Sequence, residues 1–174
     1  MQTQDSPKLG VHSEVGRLRK VMVCAPGLAH ARLTPSNCRD LLFDDVIWVE
    51  RAKRDHLDFV ARMRERGIDV IDMNDLLAET MAIANARHWL FDHKITPDLV
   101  GTVLVEETRL FLDGLPPGKL AELLIGGLDV MEMPDKAGSK VLRLFRDAIG
   151  TSAFVVPPLP NALFTRDTTC WIYA

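Results

Sequence analysis

The chain is poor in cysteine and has no long apolar run. Its 174 residues contain three cysteines, Cys24, Cys38 and Cys170, and this odd number at wide spacing indicates free thiols in a reducing compartment. No segment reaches the roughly 20 apolar residues that a membrane-spanning helix needs. The N-terminal residues lack the apolar run of a secretory signal. We therefore expect a cytoplasmic protein that binds no membrane.

The chain also lacks the charge pattern of a nucleic-acid-binding protein. Its formal net charge is -3, and no basic stripe with interleaved aromatic residues occurs. No Cys-x-x-Cys or two-histidine pattern suggests a metal site, because His88 and His93 are not spaced to share one helix face. We expect no nucleic-acid partner, no metal and no other cofactor.

The first part of the chain predicts a β-α-β unit. Residues 18–24 have the alternation of a strand, a helix is predicted to begin at Asp44, and Gly67 suits the position after its end. Residues 68–71 read as a second strand. One apolar stripe at steps of three and four is predicted to be buried, with its histidine packed rather than ligating: Val49, Ala52, His56, Phe59, Val60 and Met63.

The middle of the chain has helical patterns and almost no alternation. Asn74 is predicted to cap a helix through Leu90, and Thr96-Pro97 is predicted to open another. Pro116-Pro117 and Ser139 are predicted to open two more, the first of which Gly126-Gly127 closes. Short helices with short loops favour a small antiparallel bundle.

Strand character returns near the end of the chain, at 153–156 and 168–173. The sequence is therefore divided into residues 1–73 as the first part of an α/β domain, 74–150 as a helical insertion and 151–174 as an incomplete return to the α/β domain. The predicted fold class is α/β.

A short run of polar and aromatic residues follows the prolines at 158–160. Asp167 can accept a planar guanidinium through two parallel charge-assisted bonds, and Phe164 can offer an apolar wall or a cation–π face to the same group. Asn161 can hold a substrate carboxylate or amino group. The same residues also fit a structural interpretation, in which Arg166 and Asp167 form a loop ion pair, Phe164 is a core residue and Asn161 is a turn residue.

The residues 161–167 resemble the Asn-x-x-Phe-Thr-Arg-Asp signature of the arginine deiminases. Other segments are similar to that family as well: 9–23 to its opening strand, 33–48 to its first active-site loop, and 53–56 and 64–70 to the helix and strand that follow. The resemblance spans nearly the whole chain.

The resemblance implies a fold and a reaction. The implied fold is a five-bladed α/β propeller of the pentein type, incomplete in this chain, with an α-helical bundle inserted in the first unit. The implied reaction converts L-arginine and water to L-citrulline and ammonia without a cofactor. A cysteine thiolate attacks the guanidinium carbon, and water then releases the product from the covalent intermediate.

The resemblance also assigns roles to four residues. Asp167 would bind two guanidinium nitrogens and polarise the group, which makes it the one catalytic residue assigned in this chain. Phe164 would wall the aliphatic stem, Asn161 would help to hold the amino-acid end, and Leu42 would contact the substrate through its loop. Arg166 is expected to support the loop.

The family's nucleophilic cysteine and proton-transfer histidine have no counterpart in these residues. Cys24 and Cys170 lie in apolar strands and are expected in the core, and Cys38 has no evident orienting partner. We therefore expect an N-terminal fragment, inactive by itself, of a full-length enzyme that binds L-arginine and forms a homo-oligomer.

Two alternatives remain open. The chain could be an inactive truncated remnant or a module that binds a guanidino compound without chemistry. It could also be a relative within the same superfamily that acts on agmatine, methylated arginine or an amidino acceptor. The helical insertion favours arginine, since we expect the smaller relatives to lack it.

Overall fold

The computed structural model describes residues 15–134 and 154–167. The strands are β1 (Lys20–Val23), β2 (Asp69–Asp72), β3 (Leu128–Asp129) and β4 (Phe154–Val156). The helices are α1 (Leu28–Ala31), α2 (Val49–Glu65), α3 (Met73–Met81), α4 (Ala84–Lys94), α5 (Pro97–Val100), α6 (Val105–Asp113) and α7 (Pro117–Gly126). Two short 3-10 helices occupy Val130–Glu132 and Pro160–Leu163.

The predicted β-α-β unit is confirmed. Strands β1 and β2 pair in parallel, with Val21 opposite Val70, and α2 connects them. Parallel pairing requires such a crossover, and the helix covers the sheet with its apolar side. Val60 and Met63 of α2 are buried against Val23 of β1. Gly67 has a φ of +72°, the left-handed conformation that ends a helix, as predicted.

Helix α2 differs from the prediction at two points. It begins at Val49 rather than at Asp44, because the residues before it form a loop in which the Asp45 side chain accepts a hydrogen bond from the Val46 N–H at 2.7 Å. Such a local bond competes with helix formation. Phe59 was expected in the buried stripe and is 55% exposed. The sheet beneath α2 has two strands among the described residues, so the buried part of the stripe is narrow.

The predicted helix from Asn74 to Leu90 is two helices, α3 and α4, and the cap is a different residue. Asp72 precedes α3, and its side chain accepts the Asn74 N–H at 2.8 Å. Helices α5 and α7 begin at Pro97 and Pro117, as the prolines predicted. Helix α6 was not predicted. The helix predicted from Ser139 and the strand predicted at 168–173 lie outside the described residues.

The helices α3 to α7 share a hydrophobic core with β3 and β4. Leu120, Leu128 and Val130 are fully buried in it, and Val155 of β4 contributes from the far end of the sequence. Strand β4 was predicted, whereas the two-residue β3, which pairs with it antiparallel, was not. The described residues are therefore a mixed α/β structure with two two-stranded sheets, which confirms the α/β class. The propeller remains a prediction.

The sequence predicted no membrane-spanning helix. Within 15–134 and 154–167, no helix combines the length and the apolar character that crossing a bilayer requires.

Gly127 fixes the contact between the end of α7 and the segment after β4. Its φ is +84°, and a Cβ placed on it would lie 2.7 Å from the Pro158 nitrogen and 2.8 Å from the Val156 carbonyl oxygen. Both neighbours are backbone atoms that cannot turn aside. Only a glycine fits where two backbones come this close. The contact matters for function because it sets the path of the chain into residues 158–167.

We predict that Gly127→Ala lowers the free energy of unfolding far more than Gly67→Ala does. Gly67 also has a positive φ, but nothing lies within 4 Å of an added Cβ. The free energy of unfolding of the Gly67 variant should therefore fall by about 1 kcal/mol, from backbone strain alone. That of the Gly127 variant should fall by about 3 kcal/mol or more, because a steric clash is added to the strain. Urea unfolding of both variants measures this. Equal losses would show that the approach to Pro158 imposes no constraint.

Candidate functional site

The first loop ends in a tight turn that places Leu42 in a strained conformation. The Phe43 N–H donates to the Cys38 carbonyl at 2.8 Å, and the Leu42 N–H donates to the Arg39 carbonyl at 3.1 Å. This pair of bonds is the Schellman pattern, which normally has glycine at the left-handed position. Here Leu42 holds that position, with a φ of 56°, and among the described residues it is the one non-glycine with a positive φ.

The polar side chain of Asn37 organises the start of the same loop. Its Oδ1 accepts the Thr34 N–H at 2.7 Å, and its Nδ2 donates to the Arg32 carbonyl at 2.9 Å. These two bonds satisfy backbone groups that have no regular secondary structure to pair with. The loop from 32 to 43 is thus a defined structure.

The signature segment 161–167 is hydrogen-bonded to the first part of the chain. Asn161 Nδ2 donates to the Leu41 carbonyl at 2.8 Å, next to the strained Leu42. Thr165 Oγ1 donates to the Met22 carbonyl in β1 at 3.0 Å. The two motifs that the sequence singled out, far apart along the chain, therefore lie against each other.

Three aromatic rings continue this contact into the interior. Phe164 stacks on Phe43, with the ring centroids 6.2 Å apart and the planes at 27°. Phe43 in turn makes an edge-to-face contact with His30, with the centroids 5.6 Å apart and the planes at 77°. His30 is 3% exposed and Phe164 is 47% exposed, so the series runs from the core to the surface.

The four predicted site residues have different surroundings. The side chain of Leu42 is 81% exposed, and Phe164 presents about half of its surface to solvent. Asp167 is also exposed, at the end of a turn in which its N–H donates to the Phe164 carbonyl at 3.0 Å. Asn161 is half-buried because its Nδ2 holds the first loop. An apolar side chain, a ring and a carboxylate are thus available to a ligand in this region.

An ion pair fastens the first loop to the helical part. Arg32 donates to Glu132, which also accepts the Asp129 N–H at 2.9 Å, and the Arg32 guanidinium lies 5.5 Å from the centre of the Phe154 ring. The Arg32 side chain is 10% exposed. Burial raises the pKa of Glu132. Four interactions lower it: the hydrogen bonds from Arg32 and from the Asp129 backbone, and the positive charges of Arg32 and Lys119. The net effect is a pKa below the usual value.

The two described cysteines are poor nucleophiles. Burial and, to a lesser extent, the negative charge of Asp72 raise the pKa of Cys24 to about 11, although a hydrogen bond from Asn74 opposes the rise. Cys38 is 3% exposed. The thiolate is the reactive form, and the raised pKa keeps Cys24 protonated at neutral pH, whereas burial keeps the Cys38 sulfur away from a ligand. The nucleophile that the resemblance requires is thus absent from the described part of the chain.

Two other kinds of ligand site are a surface pocket and a metal centre. A pocket of about 280 Å³ lies beside α1 and α7, and its polar lining includes Lys53, Asn74 and Glu122. None of the four predicted site residues lines it. Over residues 15–134 and 154–167, no group of three or more His, Cys, Asp or Glu side chains is arranged to hold a metal ion.

The sequence analysis missed the residues that hold the site together. Phe43 and His30 were not assigned a role, and neither was the pair of Arg32 and Glu132. Their contacts are between residues distant in sequence, which periodicity does not detect. One contact is local: the Gly27 N–H donates to His30 Nδ1 at 3.2 Å, in the position of the side-chain bond of a capping box, but Gly-x-x-His is not the usual sequence of that motif.

We predict that Glu132→Gln removes part of the pH dependence of stability. The folded pKa of Glu132 is below its usual value of 4.5, so its stabilisation is complete above that pH and is lost as the pH falls through the lowered pKa. Urea unfolding at a series of pH values should show a smaller acid loss in the variant than in the unchanged protein. Glu50→Gln is the control, since Glu50 forms an exposed pair with Lys53. Parallel curves for the unchanged protein and the Glu132 variant would contradict the prediction.

The sequence matches the model of a known protein family. The family model described as arginine deiminase matches residues 39–174, which includes the strained turn at Leu42 and the whole signature segment. The match covers well over half of the 174 residues. The chain therefore belongs to the arginine deiminase family.

Proposed function

We propose that the protein hydrolyses L-arginine to L-citrulline and ammonia, and that these residues supply part of its substrate site. The observation that carries the proposal is the contact between the two motifs: Asn161 bonds to the Leu41 carbonyl, and Phe164 stacks on Phe43. This contact supports the proposal because it brings the loop that carries Leu42 against the segment that carries Phe164 and Asp167. Arginine has an apolar stem and a planar cation, which are the complements of these groups.

Each of the four residues has a role in the proposal. The Asp167 carboxylate accepts two guanidinium N–H groups in parallel, a geometry that fixes the plane of the cation. Phe164 covers the aliphatic stem. The Nδ2 of Asn161 is already bonded to Leu41, so its Oδ1 is the atom to accept a hydrogen bond from the substrate's ammonium group. Leu42 closes the site from the loop.

The covalent step needs a thiolate and a proton-transfer histidine from outside the described residues. The raised pKa of Cys24 and the burial of Cys38 exclude both as nucleophiles at neutral pH. In the proposal, an incoming thiolate attacks the guanidinium carbon that Asp167 holds, ammonia leaves, and water releases citrulline. The larger fold proposed is the α/β propeller, with 1–73 and 151–174 in the propeller and 74–150 as the insertion.

A second candidate is a guanidino-binding module without chemistry. The observation that favours it for the 174 residues alone is the combination of an exposed Asp167 and Phe164 with two buried thiols, of which Cys24 has a raised pKa. Assaying the intact protein for release of ammonia from arginine distinguishes the two. Binding without release of ammonia is the result that both candidates allow for the isolated chain, whereas turnover by the intact protein supports the enzyme.

We predict that Asp167→Asn lowers kcat/KM for arginine about a hundredfold or more in the intact protein, since one charged partner of the guanidinium is lost. Ammonia release at a series of arginine concentrations measures it. Asp98→Asn is a matched control, because Asp98 is an exposed acid in the first turn of α5 and has no role in the proposal. A near-normal rate in the Asp167 variant would refute the assigned role.

We also predict that Leu42→Gly stabilises the protein and weakens its use of arginine. Glycine relieves the left-handed strain, for a net gain of up to about 1 kcal/mol after its own entropy cost. Loss of the apolar side chain should raise KM about tenfold. Urea unfolding and steady-state kinetics on the same preparation test both parts. A variant that is less stable, or that keeps the original KM, would show that Leu42 is not held in strain for the substrate.

A further inference from the structure

His30 lies at the inner end of the aromatic series, and the proposed function gives it no role. It belongs to α1 and is 3% exposed. A buried imidazole needs partners for both of its nitrogens, because an unpaired polar atom in the interior destabilises the fold. The partners of His30 therefore indicate why a histidine occupies this position.

The two nitrogens of His30 face two different segments. Nδ1 accepts the Gly27 N–H, so in the neutral ring the proton is on Nε2. Within the described residues Nε2 has no hydrogen-bond partner of good geometry, although the Pro160 backbone interacts with the ring. Burial lowers the pKa of His30, and this Pro160 interaction partly opposes the change. Pro160 directly precedes Asn161, so the imidazole lies between the start of α1 and the signature segment.

The same ring makes an edge-to-face contact with the ring of Phe43. Edge-to-face contacts have a preferred orientation, because the positive edge of one ring lies against the negative face of the other. Phe43 is then the surface on which Phe164 stacks. Since Phe164 has solvent around the rest of its exposed half, the Phe43 face is a main constraint on the direction of its ring.

We propose that His30 is a positioning residue of the arginine site, whose ring sets the orientation of Phe43 and, through Phe43, of the Phe164 wall. Its effect on arginine rests on the proposed function, whereas its effect on the two phenylalanine rings does not. His30 does not touch the substrate in this proposal.

Two substitutions distinguish the effect of the His30 ring from the effect of its hydrogen bond to Gly27. His30→Asn keeps an acceptor near Nδ1 for the Gly27 N–H and removes the ring. His30→Phe keeps a ring against Phe43 and removes the acceptor. A wall along the substrate stem binds the ground state and the transition state alike, so the Asn variant should raise KM about tenfold with kcat changed less than about twofold. The Phe variant should lose stability and keep KM within about threefold.

Two kinetic results would overturn the proposal. One is an unchanged KM in the Asn variant, and the other is an equal rise in both variants. The double variant of His30→Asn with Phe164→Leu gives the sharper criterion. If His30 acts through Phe164, the combined rise in KM is no greater than the larger single rise. Independent, multiplying effects would show that His30 acts by another route.

Aromatic NMR on protein with labelled phenylalanine tests, without arginine, whether His30 sets the orientation of the Phe43 and Phe164 rings. The Phe43 and Phe164 ring signals should shift in the His30→Asn variant, while those of Phe111, which packs against the helical core, stay unchanged and confirm the fold. If the unchanged intact protein releases no ammonia but these signals shift, the proposed function fails and the effect of His30 on the two phenylalanine rings stands. If the Phe164 signals do not move, the positioning role fails whatever the activity.

Discussion

The first loop is held in place by contacts from residues far away in the sequence. The Asn161 bond to the Leu41 carbonyl joins residues 120 positions apart, and the Arg32 pair with Glu132 joins residues 100 positions apart. Ordering a loop costs about 1–2 kcal/mol per residue in backbone entropy, and an exposed loop buries little surface in return. These two attachments, one from the signature segment and one from the helical part, are what make a defined substrate surface possible.

The strain at Leu42 indicates what this loop is for. A glycine would satisfy the turn at no steric cost, as it does at Gly67, yet the position carries a large apolar side chain that is 81% exposed. Both features cost free energy in the isolated structure. A local rule that is broken without compensation in the fold is typical of functional positions. The same reasoning does not apply to Gly127, where the close approach of two backbones explains the residue fully.

The sequence predicted the elements with strong local signals and missed those that depend on distant contacts. The two parallel strands were found from their local apolar pattern, and the helix end at Gly67 and the helix starts at the two prolines were found from the backbone chemistry of single residues. The acids at 44 and 45 suit a helix start equally well, and only the loop geometry excludes it. The four site residues came from the family resemblance, but their spatial arrangement did not. The resemblance also did not indicate His30, because its proposed role depends on contacts with Gly27, Phe43 and the Pro160 backbone.

The surroundings of the thiols show how the proposed chemistry must be arranged. A reactive thiolate needs a positive neighbour or a helix start to lower its pKa, but Cys24 has burial and the Asp72 carboxylate, which both raise it. In the proposed mechanism the described residues therefore bind the cation, and the attacking thiolate comes from elsewhere. In a covalent mechanism the guanidinium carbon must meet the incoming sulfur within about 3–3.5 Å. A substrate surface that is fixed from both sides, before any nucleophile reaches it, is the arrangement that allows such accuracy.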